Sequence, residues 1–163
     1  MNEPGWLKAA RGHIGVTEIK GPKHNPTIVS WLRKLRAWWK DDETPWCGVF
    51  VAACMDRAGY SLPKNWMRAK DWLNWGDPLG GPVYGCVVVF GRQGGGHVGF
   101  AVGEDENGRL LVLGGNQGDA VKISPFDYSR VIGYRVPKGY AIPVQNYKLP
   151  TIKSDQETSK NEA

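Results

Sequence analysis

The sequence predicts an α+β fold in which N-terminal helices pack on one side of a C-terminal antiparallel sheet of about five strands. Two observations carry this. Up to about Trp75 the apolar residues recur at three- and four-residue spacing with few β-branched runs, whereas beyond Gly80-Gly81-Pro82 short valine-rich runs alternate with turn residues. The 163 residues suit one domain, and 41% hydrophobic against 23% charged is ordinary globular usage that disfavours wholesale disorder.

Each element has its own signal. Trp6, Leu7, Ala10 and Ile14 mark a first short helix. Asn25-Pro26 opens a second, with Asn as N-cap and Pro at the first helical position; Ile28, Trp31, Leu32 and Leu35 trace its apolar stripe, opposite Arg33, Lys34 and Arg36. Thr44-Pro45 repeats the start signal for a third helix, almost wholly apolar through Cys47, Phe50, Val51, Cys54 and Met55, which stops at Gly59. A fourth, shorter helical segment runs from about Arg68 to Trp75 and ends at Gly76-Asp77-Pro78. The expected strands are Val87 to Phe90, His97 to Val102, Leu110 to Leu113, Ala120 to Ser124 and Val131 to Val136, with Asn107-Gly108 turning the hairpin between the second and third. One catalytic-sized domain over residues 1–137 is expected, followed by an aperiodic extension over 138–163 that is polar enough from about Thr151 to be disordered.

Lys+Arg number 21 against 16 Asp+Glu, a net charge of +5 that points to an anionic partner: nucleic acid, a membrane surface or an acidic polymer such as a cell wall. No run of about 18 apolar residues exists, and the opening Met1-Asn2-Glu3-Pro4-Gly5-Trp6 has no basic stretch leading into an apolar one. Neither stable membrane insertion nor a signal peptide is therefore expected. Cys47, Cys54 and Cys86 are an odd number at no zinc-like spacing, so reduced thiols are expected, with no metal and no cofactor.

Chemistry concentrates at three places. Pro45-Trp46-Cys47-Gly48 puts a cysteine in the first turn of a buried helix, where unpaired N–H groups and the helix dipole favour the thiolate, the form that attacks carbonyl carbon. Cys54 and Cys86 read as small buried hydrophobes. A nucleophilic thiol needs a base, and of His13, His24 and His97 only the last begins a strand after a glycine run, Gly94-Gly95-Gly96, that leaves room for substrate. Leu113-Gly114-Gly115-Asn116-Gln117 then ends an apolar run in a polar pair, from which Asn116 could orient His97 or simply stabilise a loop. The acidic run Asp41-Asp42-Glu43 lacks alternating calcium-ligand spacing and reads as a solvated turn.

Cysteine, histidine and polar orienter in that chain order, with the cysteine on a helix and the others on strands, is a papain-like arrangement. P-W-C-G-V-F-V, H-V-G-F-A-V-G, V-L-G-G-N-Q and V-I-G-Y-R-V-P together resemble the CHAP and NlpC/P60 superfamily of cell-wall cysteine peptidases and amidases, and are similar to a small phage and bacterial subfamily with D-E-T-P-W-C and L-G-G-N-Q motifs. The resemblance extends from about Trp6 to Pro137. It implies Cys47 as nucleophile, His97 as general base and Asn116 as orienting residue. Their immediate neighbours Trp46, Gly48, Gly96 and Gln117 are then expected at the substrate. NlpC/P60 enzymes commonly have Asp before the cysteine and Ser after it to read a peptide amine; Trp46 and Gly48 stand there instead, so that mode of recognition is not implied.

The resemblance implies a monomeric peptidoglycan hydrolase of the phage endolysin kind, cutting either the sugar–peptide amide or a bond within the peptide. It would be made in the cytoplasm and act in the periplasm or wall after release or delivery. Trp38, Trp39, Trp66, Trp72 and Trp75 would line a glycan groove or belong to the core. A wall-binding or phage structural module on the same fold is the alternative, against which the intact Cys, His and Asn set weighs. No recognised motif supports nucleic-acid binding.

Overall fold

The computed structural model describes residues 1–21, 23–39, 45–92 and 95–153, the side chain of Arg92 excepted. Three α-helices come first: α1 (Gly5–Arg11), α2 (Pro26–Lys34) and α3 (Cys47–Arg57). Six strands follow: β1 (Asp77–Leu79), β2 (Val87–Arg92), β3 (Gly95–Glu104), β4 (Leu110–Gly114), β5 (Lys122–Phe126) and β6 (Val131–Val136). They form one antiparallel sheet in the order β1-β6-β2-β3-β4-β5.

Local chemistry sets the helix ends. The Asn25 side chain accepts from the Thr27 N–H at 2.8 Å with Pro26 behind it, as the Asn-Pro signal predicts. α3 ends where Gly59 turns left-handed (φ 88°) and the Tyr60 N–H bonds the Met55 carbonyl at 3.0 Å. The Thr44 start signal and the Asp41-Asp42-Glu43 run lie outside the described residues; Trp46 occupies the N-cap of α3 without a side-chain cap bond. Arg68 to Trp75, expected as helix, is a 3-10 helix over Ala69–Asn74 that seats Ala69 and Trp72 and leaves Arg68 and Lys70 outside.

The sheet separates two apolar layers. On one face Val87, Val89, Val98, Phe100 and Val102 pack against α1–α3 and the 3-10 helix. On the other Cys86, Val88, Phe90, Ala101, Val112 and Phe126 form a second layer, on which Tyr140, Ile142 and Leu149 rest. The sheet exceeds the five expected strands by β1, a three-residue edge strand whose Pro78 is tolerable because an edge leaves one side of the ladder free. β5 lies two residues beyond the expected Ala120 to Ser124.

The extension after Pro137 is packed despite its lack of periodicity. Tyr140 meets the Trp6 ring edge-on at 4.9 Å, and Thr151 bridges Glu104 while the Ile152 N–H bonds the Glu104 carbonyl at 2.8 Å. Thr151 and Ile152 thus lie against Glu104, and residues 154–163, the rest of the stretch expected to be disordered, lie outside those described. Asn146, fully buried, exchanges both amide groups with the Asn2 backbone (2.8 and 3.1 Å), and its carbonyl accepts from the Tyr84 N–H at 2.8 Å. Removing that side chain strands the Asn2 backbone groups, so Asn146→Ala should cost about 1–3 kcal/mol, read as a lower urea midpoint; an unchanged midpoint would make the extension dispensable.

Candidate active site

Cys47 is the first residue of α3, a helix buried along almost its whole length because α1 and α2 cover one side and β3 and β4 the other. Two glycines let it approach so closely. A Cβ at Gly48 would stand 2.6 Å from the Trp66 carbonyl and 2.8 Å from that of Met67, and one at Gly115 would stand 2.6 Å from Phe50 Cβ and 2.9 Å from the Trp46 ring. The helix start is therefore wedged between the 66–67 backbone and the end of β4. Cys47 itself is 6% exposed and sits at the rim of the core, in the N-terminal turn of α3.

His97 pairs with Phe90 across β2 and β3, on the face of the sheet away from α3. Its ring stacks on Phe126 at 5.4 Å and is fully buried, and Arg130 caps the Phe126 ring from 5.4 Å. The imidazole Nε2 lies 2.9 Å from Oε1 of Gln117. The Gln117 amide nitrogen donates to the carbonyls of Lys122 (2.8 Å) and Val112 (3.2 Å), which fixes the orientation of the amide; Oε1 is then an acceptor, and the ring must donate from Nε2–H. Gly114 makes this bond possible, since a Cβ there would collide with Gln117 Oε1 and crowd His97 Nε2 at 3.3 Å. The two glycines of L-G-G-N-Q thus serve opposite faces: Gly114 the histidine, Gly115 the cysteine helix.

Asn116 is 2% exposed, with left-handed backbone at φ 58°. That conformation starts the turn into β5 and brings the next side chain, Gln117, back beneath β4 toward His97.

Beside Cys47 opens a groove of about 420 Å³ lined by Pro45, Cys47, Met67, Ala69 and Gly95-Gly96, with Arg68, Lys70 and Asp71 as its charged wall. Of the neighbours expected at substrate, only Gly96 lines it. Trp46 is buried against Trp31 with its indole N–H 3.1 Å from a Glu18 carboxylate oxygen, Gly48 is packed on the 66–67 backbone, and Gln117 is fully buried with its amide engaged. Trp39, Trp72 and Trp75 are core residues, Trp66 is half-buried, and Trp38 is 87% exposed. Among the described residues no group of three or more His, Cys, Asp or Glu is placed to hold a metal ion, and no helix is long and apolar enough to cross a membrane.

The CHAP domain model matches residues 39–116, a span that contains Cys47, His97 and Asn116. This segment is therefore similar to a CHAP domain. The match is narrower than the Trp6 to Pro137 span the motifs suggest, but the α+β class agrees with it. CHAP domains are typically those of peptidoglycan cysteine peptidases and amidases. No curated protein matches the chain.

Sequence reasoning missed the groove's cationic wall, because Arg68 and Lys70 read there as the outer face of an ordinary helix. The reading of Cys54 and Cys86 as buried hydrophobes agrees with the structure. Burial pushes Cys86 up to about 12 and Cys54 higher still, so neither yields thiolate near neutral pH. In the folded protein iodoacetamide at pH 7.5 should consume Cys47 alone, with Cys54 and Cys86 reacting only after denaturation, as peptide mapping will show.

Proposed function

We propose that this protein hydrolyses an amide bond of peptidoglycan, with Cys47 as nucleophile, His97 as general base and Gln117, rather than Asn116, as the residue that orients the base. The observation that carries the reading is the hydrogen bond from His97 Nε2–H to a Gln117 amide locked by two backbone carbonyls. With Nε2 committed, Nδ1 is the ring nitrogen left for proton exchange, and because the ring lies on the sheet face away from α3 this reading requires the proton to pass around the start of β3 at Gly96. Gly96, the residue before His97, shares the groove with Cys47, which supports reading the cysteine and the His97-bearing strand as parts of one site. The net charge of +5 suits an anionic wall polymer.

In this reading His97 takes the Cys47 proton, and the thiolate attacks the amide carbonyl, forming a C–S bond while the carbonyl electron pair moves onto oxygen. The Cys47 backbone N–H at the start of α3 stabilises that oxyanion. Collapse breaks the C–N bond, His97 returns its proton to the departing amine, and a thioester remains. Water, deprotonated by His97, then breaks the C–S bond and restores the thiol. The enzyme is of the endolysin kind, reaching the wall after release or delivery from the cytoplasm.

Clearing of a purified cell-wall suspension, with mass spectrometry of the released fragments, tests this. Wild type should clear it and free one kind of amine terminus, either on the peptide at its sugar junction or within the peptide. Cys47→Ala should not clear it, and clearing by that variant would sink the mechanism. Loss of a hydrogen bond to a charged ring costs about 1.5–3 kcal/mol, so Gln117→Ala should lower kcat by about 10- to 100-fold, measured well below its melting temperature. Asn116→Ala should cost less; the reverse ranking would return the orienting role to Asn116.

A further inference from the structure

We infer that Arg68 and Lys70 form a carboxylate-recognition site on the wall of the Cys47 groove, so that the preferred substrate carries a free carboxylate on the peptide near the bond that is cut. This rests on the proposed hydrolase reading and names the substrate feature it acts beside.

Three observations carry it. The wall is held in place: Trp66 and Met67 press their carbonyls against Gly48, the residue after Cys47, and the Trp72 indole N–H donates to the Trp66 carbonyl at 3.0 Å. Lys70 lies along the strand backbone at Gly96, where an added Cβ would stand 3.0 Å from Lys70 Cγ and 3.3 Å from Cε. The stem of Lys70 is thus laid flat on the floor residue that precedes His97, and its ammonium stays exposed at the groove. Finally, the charges do not cancel. Arg68 and Lys70 outnumber Asp71 in the lining, and neither cation makes an ion pair among the described residues.

Two cations on a rigid wall, one on each side of buried Ala69, suit an anion that both can reach, and a carboxylate offers two oxygens to a guanidinium and an ammonium together. Asp71 repels a second negative charge farther along and so gives the site a direction. A side chain at 96 would meet the Phe90 carbonyl at 2.9 Å as well as the Lys70 stem, so glycine there leaves room for both.

The test is a calorimetric titration of full-length Cys47→Ala protein, which cannot turn substrate over, with a synthetic wall stem tetrapeptide bearing free carboxylates and with the same peptide carrying carboxamides in their place. The free acid should bind about fivefold more tightly, the ordinary strength of a partly screened ion pair, and adding K70Q and R68Q should abolish that preference without weakening the carboxamide peptide. Equal affinity for the two peptides, or a preference that survives both substitutions, overturns the inference. So does a result in which K70Q raises the pH midpoint of Cys47 alkylation in the native thiol protein but leaves peptide preference intact, because the cations would then serve the thiolate. Binding needs no turnover, so failure of wild type to cut walls would count against the hydrolase reading and not against this site.

Discussion

Burial of α3 on every side is the constraint from which the site follows. A helix this apolar can only be accommodated between the other helices and the sheet, and glycine at 48 and at 115 is what lets neighbouring backbone come within contact distance of it. Once the helix axis is fixed, so is its first residue, and Cys47 becomes the point where the core meets the groove. The same wedge holds the 66–72 segment against the helix start, so the groove wall and Cys47 are positioned by one set of contacts.

The histidine is held by a separate device on the opposite face. Its ring lies among phenyl rings and bonds a glutamine whose own nitrogen is held by two carbonyls. An amide tied down in this way cannot flip without stranding buried donors and acceptors, at a cost of several hydrogen bonds. The tautomer of His97 is thus set by the turn between β4 and β5, and the L-G-G-N-Q motif joins both halves of the site through its two glycines.

Much of this was legible in the sequence, where the information is local. Asn25-Pro26 named its own helix start, Gly59 its stop, and the valine runs named β2, β3 and β4, because caps and periodicity depend on neighbours in the chain. What escaped depends on distant partners or on backbone twist. Asp77–Leu79 becomes a strand only because β6 lies beside it, and the extension after Pro137 packs through Tyr140, Asn146 and Leu149 at irregular intervals that show no period. The hydrogen bond between Gln117 and His97 likewise depends on the left-handed φ at Asn116, a backbone turn that composition does not specify.

The proposed hydrolysis passes through a covalent intermediate on Cys47. Acid quench of the enzyme during turnover of soluble wall fragments, followed by intact-mass measurement and peptide mapping, tests it most directly. The account predicts a mass gain equal to the acyl half of the fragment, located on the peptide that contains Cys47. A gain on the peptides carrying Cys54 or Cys86, or continuing turnover with no adduct under conditions that trap thioesters, would contradict it.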